Sequence, residues 1–574
     1  MSYNNIFTVQ QEEESSSLKN QGLLFIRRPD LTADVRLHLA IAGLEPSMRN
    51  STIAKLCEDY KVSHEFIYSL SRKLKSNKDL IFGSKGRDKV CELAKKIENM
   101  RFLIEGRVYT QGPLHGLSSL SQNWGFVYNS TNFISQSIDV AGTLVGNTLN
   151  LADKKTFTIL CDEVFSGGQA ILVILEAQSM AVLDIKILDK PLTSADWEAR
   201  FALLEQNNIS IGEIVKDQGV AMAKATSKLS NVTLVADTFH AVAKRLGIYI
   251  PKMERSIKAS MGDEEKANQA LANAASEGMK AKQQAKLETA RLKTAELLDQ
   301  LDWFKQAYFL LLRQLRPFTS NGLPRDREMA LANIQFALDI LELLPLLGLG
   351  DHIKHIRKLA QSGELLNFMT KVPALYEKWE KKLPTDTLWL WMIYWLEWKK
   401  AFQTHSSKVQ KQAKQRMNIA RELLSEYYES KDQLDLFEQT KVELFASLDT
   451  IVQASSLVET FNSILKPFIN GSRGQMSQEF LNLVMFYHNH RVFNERSKRG
   501  GKSPIELLTG KKLDKSWIDL LMDIISNAFL EHDTTSLKEL HAQICKKNKE
   551  QDPLSEVVYM RYLEKQETIL AQAS

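Results

Sequence analysis

The stretch "TFTILCDEVFSGGQAILVILEAQ", residues 156–178, decides how the middle of this chain is read. Two apolar runs flank Ser166-Gly167-Gly168, and a Gly-rich link of that length predicts a β-hairpin. The first run delivers Asp162 late, after "TILC". Working outward, "AVLDIKIL" (181–188) alternates Leu183, Ile185 and Ile187 with Asp184 and Lys186, the pattern of a third, half-exposed strand. "SADWEARFALLEQNN" (194–208) predicts a helix capped by Ser194 or a neighbour, and "ISIGEIVKDQG" (209–219) a fourth strand ending in Asp217. "VAMAKATSKL" (220–229) predicts a helix and "NVTLVAD" (231–237) a fifth strand. The order is β-β-β-α-β-α-β.

That order brings acids together. If the first three strands form an antiparallel meander and the fourth lies parallel beside the first, Asp162 and Asp217 become neighbours. Two carboxylates so placed repel, and a cation relieves them. Mg²⁺ suits oxygen ligands, and two such ions about 4 Å apart serve phosphoryl transfer. Glu163 competes with Asp162 for the first position, although strand alternation points it to the opposite face. A third acid comes from "SSLVETFNSILKPFING" (455–471), where Ser455 or Ser456 caps a helix and Val458, Phe461 and Leu465 form its buried stripe. Glu459 projects off that stripe, with Asn462 one turn along. Asp237, at the end of the fifth strand, has His240 three residues later. It reads as a metal ligand in place of Asp217, as a brace, or as a helix cap.

Beyond residue 250, strand patterning disappears for roughly two hundred residues. "MGDEEKANQALANAASEGMKAKQQAKLETARLKTAELLDQL" (261–301) has the composition of one long solvated helix. In "LYEKWEKKLPTDTLWLWMIYWLEWKK" (375–400), Trp391, Trp395 and Trp398 recur at i, i+4, i+7, the spacing of a buried helix face, with Trp379 and Trp389 off that stripe. At the other end, "NSTIAKLCEDYKVSHEFIYSLSRKLKSNK" (50–78) reads as two helices around a turn, with Ser63 as N-cap. It resembles a helix-turn-helix in which Arg72, Lys73, Lys75 and Lys78 contact phosphates. The turn carries Lys61 where Gly is common. A second such module is expected at 112–143, Leu117 and Leu120 packing on Phe133 and Ile134.

Other classes recede. The 574 residues carry a formal charge of +5, too weak alone to indicate nucleic acid. Cys57, Cys91, Cys161 and Cys545 form no CxxC pair or zinc spacing, which suits a reducing compartment. The polar, acidic start is unlike a signal peptide. The longest apolar runs fall short of the roughly 20 residues that span a bilayer, so no membrane partner is expected.

Taken together, Asp162, Asp217 in "KDQG" and Glu459 in "VETFNSILK" make the chain resemble DDE-class transposases. "FYHNHRVFNERSKRGGKSPIELLTG" (486–510) is similar to the segment after the catalytic glutamate of bacterial transposases and integrases, and its "HNH" letters are coincidence. Asp237-Thr238-Phe239-His240 fits the (C/D)xxH pattern of hAT-like and Mutator-like transposases. The resemblance implies an α/β catalytic core of ribonuclease H-like fold, interrupted by a large all-α insertion and preceded by helix-turn-helix modules. It implies catalytic and metal-binding roles for Asp162, Asp217 and Glu459, supporting roles for Asp237 and His240, and two Mg²⁺ ions replaceable by Mn²⁺. It also implies that Trp389 is the candidate for stacking on an extruded base. The expected layout is a flexible arm (1–30), a helix-turn-helix domain (31–110), a second helical module (111–150), core (151–250), insertion (251–450), core with Glu459 (451–510) and a C-terminal helical region (511–574). The partners would be double-stranded DNA, as transposon ends and target, and further copies of the chain on DNA. The place would be the bacterial cytoplasm, at the nucleoid. The competing readings are a metal-dependent nuclease or resolvase with the same core, and a non-catalytic DNA-binding derivative.

Overall fold

The computed structural model describes residues 30–44, 51–76, 89–403, 406–495 and 499–551. The arm expected at 1–30 lies outside them except for Asp30, and so does Lys78. The chain divides into two compact units between residues 96 and 97.

In the smaller unit, α1 (Ala33–Ala42), α2 (Ser51–Asp59) and α3 (His64–Ser76) close around Leu39, Ile53 and Ile67. The Ser63 hydroxyl accepts from the Phe66 amide at 3.1 Å and caps α3. Lys61 sits at φ 48°, in the left-handed region that glycine adopts most easily, so the turn carries some strain there. The buried Ser71 hydroxyl reaches the Ala40 carbonyl at 2.9 Å and ties α3 to α1.

The larger unit begins within α4 (Lys89–Thr110), continues through α5 (Leu114–Asn123) and α6 (Thr131–Val145), and then enters a five-stranded mixed sheet. Its strands are β1 (Lys155–Ser166), β2 (Gln169–Glu176), β3 (Val182–Ile187), β4 (Ile209–Lys216) and β5 (Thr233–Ala236), in spatial order β3-β2-β1-β4-β5. β1, β2 and β3 form an antiparallel meander, while β4 runs parallel to both β1 and β5. Gly167 and Gly168 take φ 57° and 88° in the hairpin, which side chains would resist.

One face of the sheet, including Ile159, Cys161, Leu172 and Ile174, is covered by Trp197, Phe201 and Leu204 of α7 (Ser194–Gln206) and by Met222 and Ala225 of α8 (Val220–Thr226). Helices from the far end of the chain cover the other face.

Between them the chain runs through α9 (Tyr249–Ala272), α10 (Glu277–Gln314), α11 (Arg327–Glu342), α12 (Leu349–Gln361), α13 (Val372–Glu380), α14 (Thr385–Gln403), α15 (Ser407–Glu429) and α16 (Leu434–Leu448). The charged segment at 261–301 is not one helix. It breaks between α9 and α10, where Ser276 accepts from the Met279 amide and starts a new helix. The two helices pack along one another, with the Ser260 and Thr294 hydroxyls 3.0 Å apart in the buried seam. Local composition predicted helix correctly but carried no sign of the reversal.

The chain then returns as α17 (Ser456–Gly471), against β1 and β2, and α18 (Gln478–His490), against β3. After α19 (Pro504–Thr509) come α20 (Trp517–Glu531) and α21 (Leu537–Gln551). The Asn489 side chain bonds both the N–H and the carbonyl of Val182 at 2.8 Å, capping the edge of the sheet. His488 is fully buried and donates to the Met180 carbonyl at 2.8 Å. Burial pushes its pKa down to about 3, which keeps it neutral. The "HNH" triplet is therefore structural.

The segment 112–143, where a second helix-turn-helix is expected, folds as α5 and α6, which contact each other. Leu117 is buried, but Leu120 is 38% exposed, and α6 packs against α18, α20 and α21 rather than standing free. A Cβ on Gly142 would lie 1.9 Å from the Glu479 carbonyl, so α6 is pressed backbone to backbone on α18. Among the described residues, no helix is long and apolar enough to cross a membrane.

Candidate active site

The parallel pairing of β1 with β4 ends at Cys161 and Lys216, so Asp217 leaves β4 beside Asp162, which stays within β1 and pairs with Val173 of β2. Asp162, Glu163 and Asp217 each place a carboxylate oxygen within 4.8 Å of the other two. Glu163 does point to the face opposite Asp162, as alternation requires: its Oε1 accepts from Trp197 Nε1 of α7 at 3.1 Å. Asp162 faces α17 and accepts from Asn462 Nδ2 at 2.7 Å and from the Glu163 amide at 2.9 Å. Both still reach Asp217, because β4 has stopped and its next residue stands beyond the sheet.

Asp217 is held by its own turn. Its Oδ1 accepts from the Gly219 N–H at 2.9 Å, and a Cβ on Gly219 would come within 3.3 Å of that oxygen. Crowding three acids has an electrostatic consequence. Burial pushes the Asp162 carboxyl up to about 6; the Asp217 charge adds to the rise, while the Glu163 N–H, His240 and Asn462 oppose it. Burial, followed by the Asp217 charge, pushes Glu163 up to about 7. Oxygen-only donors that repel one another in a half-buried space fit a hard divalent cation.

Asp237 is placed differently. It is 1% exposed, and its two oxygens accept from the His240 N–H (2.9 Å), His240 Nδ1 (3.2 Å), the Ser455 N–H (2.8 Å) and the Ser455 hydroxyl. Burial alone would raise its pKa, but the hydrogen bonds from His240 and Ser455 hold it below the ordinary carboxylate value. The Ser455 hydroxyl, expected as a helix cap, is thus drawn to Asp237 and makes no cap bond with α17. The reason is a carboxylate 218 residues away in sequence. Asp237 joins the end of β5 to the start of α17.

His240 continues the chain of contacts. Its Nε2 lies 3.2 Å from Glu459 Oε1, and its bond to Asp237 raises its pKa. Glu459 is in the first turn of α17 and its side chain is 47% exposed. One turn along, buried Asn462 reaches Asp162, so a single helix face touches both the His240 and the Asp162 sides. Glu459 is not among the three acids that converge within 4.8 Å. Sequence reasoning weighed Glu163 as a ligand but had no signal for the Asn462 and Trp197 contacts.

In the smaller unit, Arg72 forms an ion pair with Glu65 of its own helix, and Lys73 and Lys75 are exposed on α3. In α14, Trp391 and Trp395 are buried, Trp398 is half-buried and Trp389 is 41% exposed; Trp379 is buried on α13.

No known family profile matches the chain. No curated protein matches it either. Among solved structures, it is weakly similar to one described as a Drosophila P element transposase strand transfer complex, at 12% identity and a TM-score of 0.26, over 62% of this chain and 98% of that one.

Proposed function

We propose that the chain is a DNA transposase whose catalytic core, of ribonuclease H-like topology, cleaves and joins DNA strands with Mg²⁺. The observation that carries the reading is the convergence of Asp162 and Glu163, within β1, on Asp217, just beyond the end of the adjacent parallel strand β4. Asp162, Asp217 and either Glu459 or Glu163 would hold one or two ions. When bound, such ions neutralise phosphate charge and lower the barrier to attack by water or a 3′-hydroxyl, and Mn²⁺ can replace Mg²⁺.

The chain's own residues do the positioning. Asn462 fixes the Asp162 rotamer, the Gly219 N–H fixes Asp217, and Trp197 restrains Glu163. Asp237 clamps His240, and His240 holds Glu459; the pair would act by orienting ligands. The smaller unit would grip transposon ends through α3, with Lys73 and Lys75 on phosphates and Arg72 joining them once released from Glu65. The helical segment 251–450 would be an insertion in the core, with Trp389 exposed for stacking on a base. The chain would work as an oligomer on DNA in the bacterial cytoplasm.

The test is incubation with the DNA flanking its own gene, in Mg²⁺, with each cleaved phosphate mapped and a pre-cut end supplied to detect joining. Cleavage at the element ends with joining to target DNA is expected. Cleavage without joining would make it a nuclease or resolvase. Binding without cleavage would make it a non-catalytic derivative.

A further inference from the structure

Away from the carboxylates, the helical segment encloses a cleft of about 860 Å³. The end of α10, the 316–325 turn, α14 and α15 form its walls, and Phe318 and Trp395, both buried, form its floor with ring centroids 5.9 Å apart. Six cationic side chains line it: Arg313, Arg316, Arg325, Lys399, Lys400 and Arg416. The carboxylate among its lining residues is Glu397, 3.6 Å from Arg416 Nη1. Arg325 is braced by neutral groups, the Gln314 side chain and the Arg316 carbonyl, each at 2.9 Å. Among the described residues, Arg313, Arg316 and Lys400 have no carboxylate partner within 4.0 Å.

Gathering like charges in a partly enclosed space is unfavourable unless an anion enters it. Burial first, with Arg316 and Arg416 beside it, lowers the pKa of Lys400 despite the opposing charge of Glu397. Burial, then Arg316 and Arg313, lowers that of Arg325. Guanidinium forks match phosphate oxygens, two donors to a group, and the cleft is large enough for more than one phosphate.

We infer that this cleft is a binding site for linked phosphate groups, held chiefly by Arg313, Arg316, Arg325 and Lys400 over the Phe318–Trp395 floor. The phosphates belong either to a nucleic-acid strand or to a free phosphorylated ligand. Gln453 lines the cleft, and its carbonyl accepts from the Thr238 N–H and hydroxyl, beside Asp237. An occupant would therefore lie next to the segment that joins β5 to α17. The inference stands apart from the metal reading, because it uses none of the carboxylates.

The experiment uses the full chain at low salt. Inorganic pyrophosphate is titrated calorimetrically and fluorescein-labelled oligothymidylate by anisotropy, against wild type and the Arg316→Gln, Lys400→Gln double variant. These two residues are chosen because removing them orphans no carboxylate. Pyrophosphate binding weakened at least tenfold in the variant is expected, or oligothymidylate binding whose salt slope falls by about 1.4 for two lost contacts. Oligothymidylate displaced by pyrophosphate assigns the site to a strand backbone; pyrophosphate binding alone assigns it to a free ligand. Should the variant fail to fold, protection of Lys400 from acetylation by either probe in wild type decides the matter. Binding unchanged in the variant, or Lys400 unprotected by both probes, would overturn the inference.

Discussion

Two groups of buried charge in the same sheet are treated in opposite ways. On β3, Asp184 is wholly buried, yet both its oxygens are engaged by the Arg200 guanidinium, and Thr148 bonds both partners. Where β4 ends beside β1, Asp162, Glu163 and Asp217 converge with neutral donors around them and no lysine or arginine ion pair among the described residues. The first arrangement is complete within the protein. The second gathers three carboxyls that no cationic side chain pairs with, and the cleft lined by Arg313, Arg316 and Lys400 is its mirror image in charge. Charges that the fold neutralises itself hold it together, whereas like charges that it gathers are held for something else.

The largest expected effect separates these cases by activity and stability together. Asp162→Asn and Asp217→Asn should each reduce DNA cleavage to background, while the melting temperature without divalent ions rises as repulsion is relieved. Calorimetry beside a cleavage assay reads both, and a fall in melting temperature would make the acids structural. Arg200→Met should do the reverse: an orphaned buried Asp184 should cost about 3–5 kcal/mol in denaturant unfolding. A cost well under 1 kcal/mol would break the comparison.

Smaller effects sharpen it. His240→Ala leaves the three acids in place but frees Glu459, so cleavage should drop roughly 10–100-fold and recover in part at higher Mg²⁺. A wild-type rate would remove the Asp237–His240–Glu459 line from the site. Smallest of all, Arg72→Ala with Lys73→Ala should flatten the salt dependence of DNA binding by about one unit per lost phosphate contact. With Arg72 paired to Glu65, the loss should be nearer one contact than two. An unchanged slope would place DNA recognition away from α3.

Much of this arrangement is legible in the sequence. Apolar runs around the Gly-rich turn predict the meander, and with β4 taken as parallel beside β1 the sequence pairs Asp162 with Asp217, but β3, expected half-exposed, is buried, Asp184 included. The Ser63 cap is also a local signal and holds; of the Trp391, Trp395 and Trp398 stripe, the first two are buried and Trp398 is half-buried. What escaped depends on partners distant in sequence. The Ser455 hydroxyl leaves its helix for Asp237, Asn462 reaches Asp162, and Gly142 lets α6 press onto α18. That Glu163 joins Asp162 instead of replacing it escaped for another reason. Alternation assigns it the opposite face correctly, but says nothing about how far a glutamate reaches around a strand end.

The central claim is that these acids are gathered for a divalent cation, and a Mn²⁺ titration followed by electron paramagnetic resonance tests it without needing DNA. Wild type should bind Mn²⁺ at one or two sites, with Mg²⁺ competing, and Asp162→Asn or Asp217→Asn should abolish the binding. Comparing Glu163→Gln with Glu459→Gln then identifies the third ligand by the larger loss of affinity. Wild type that leaves Mn²⁺ free, or an Asp217→Asn variant that binds it as wild type does, would contradict the account.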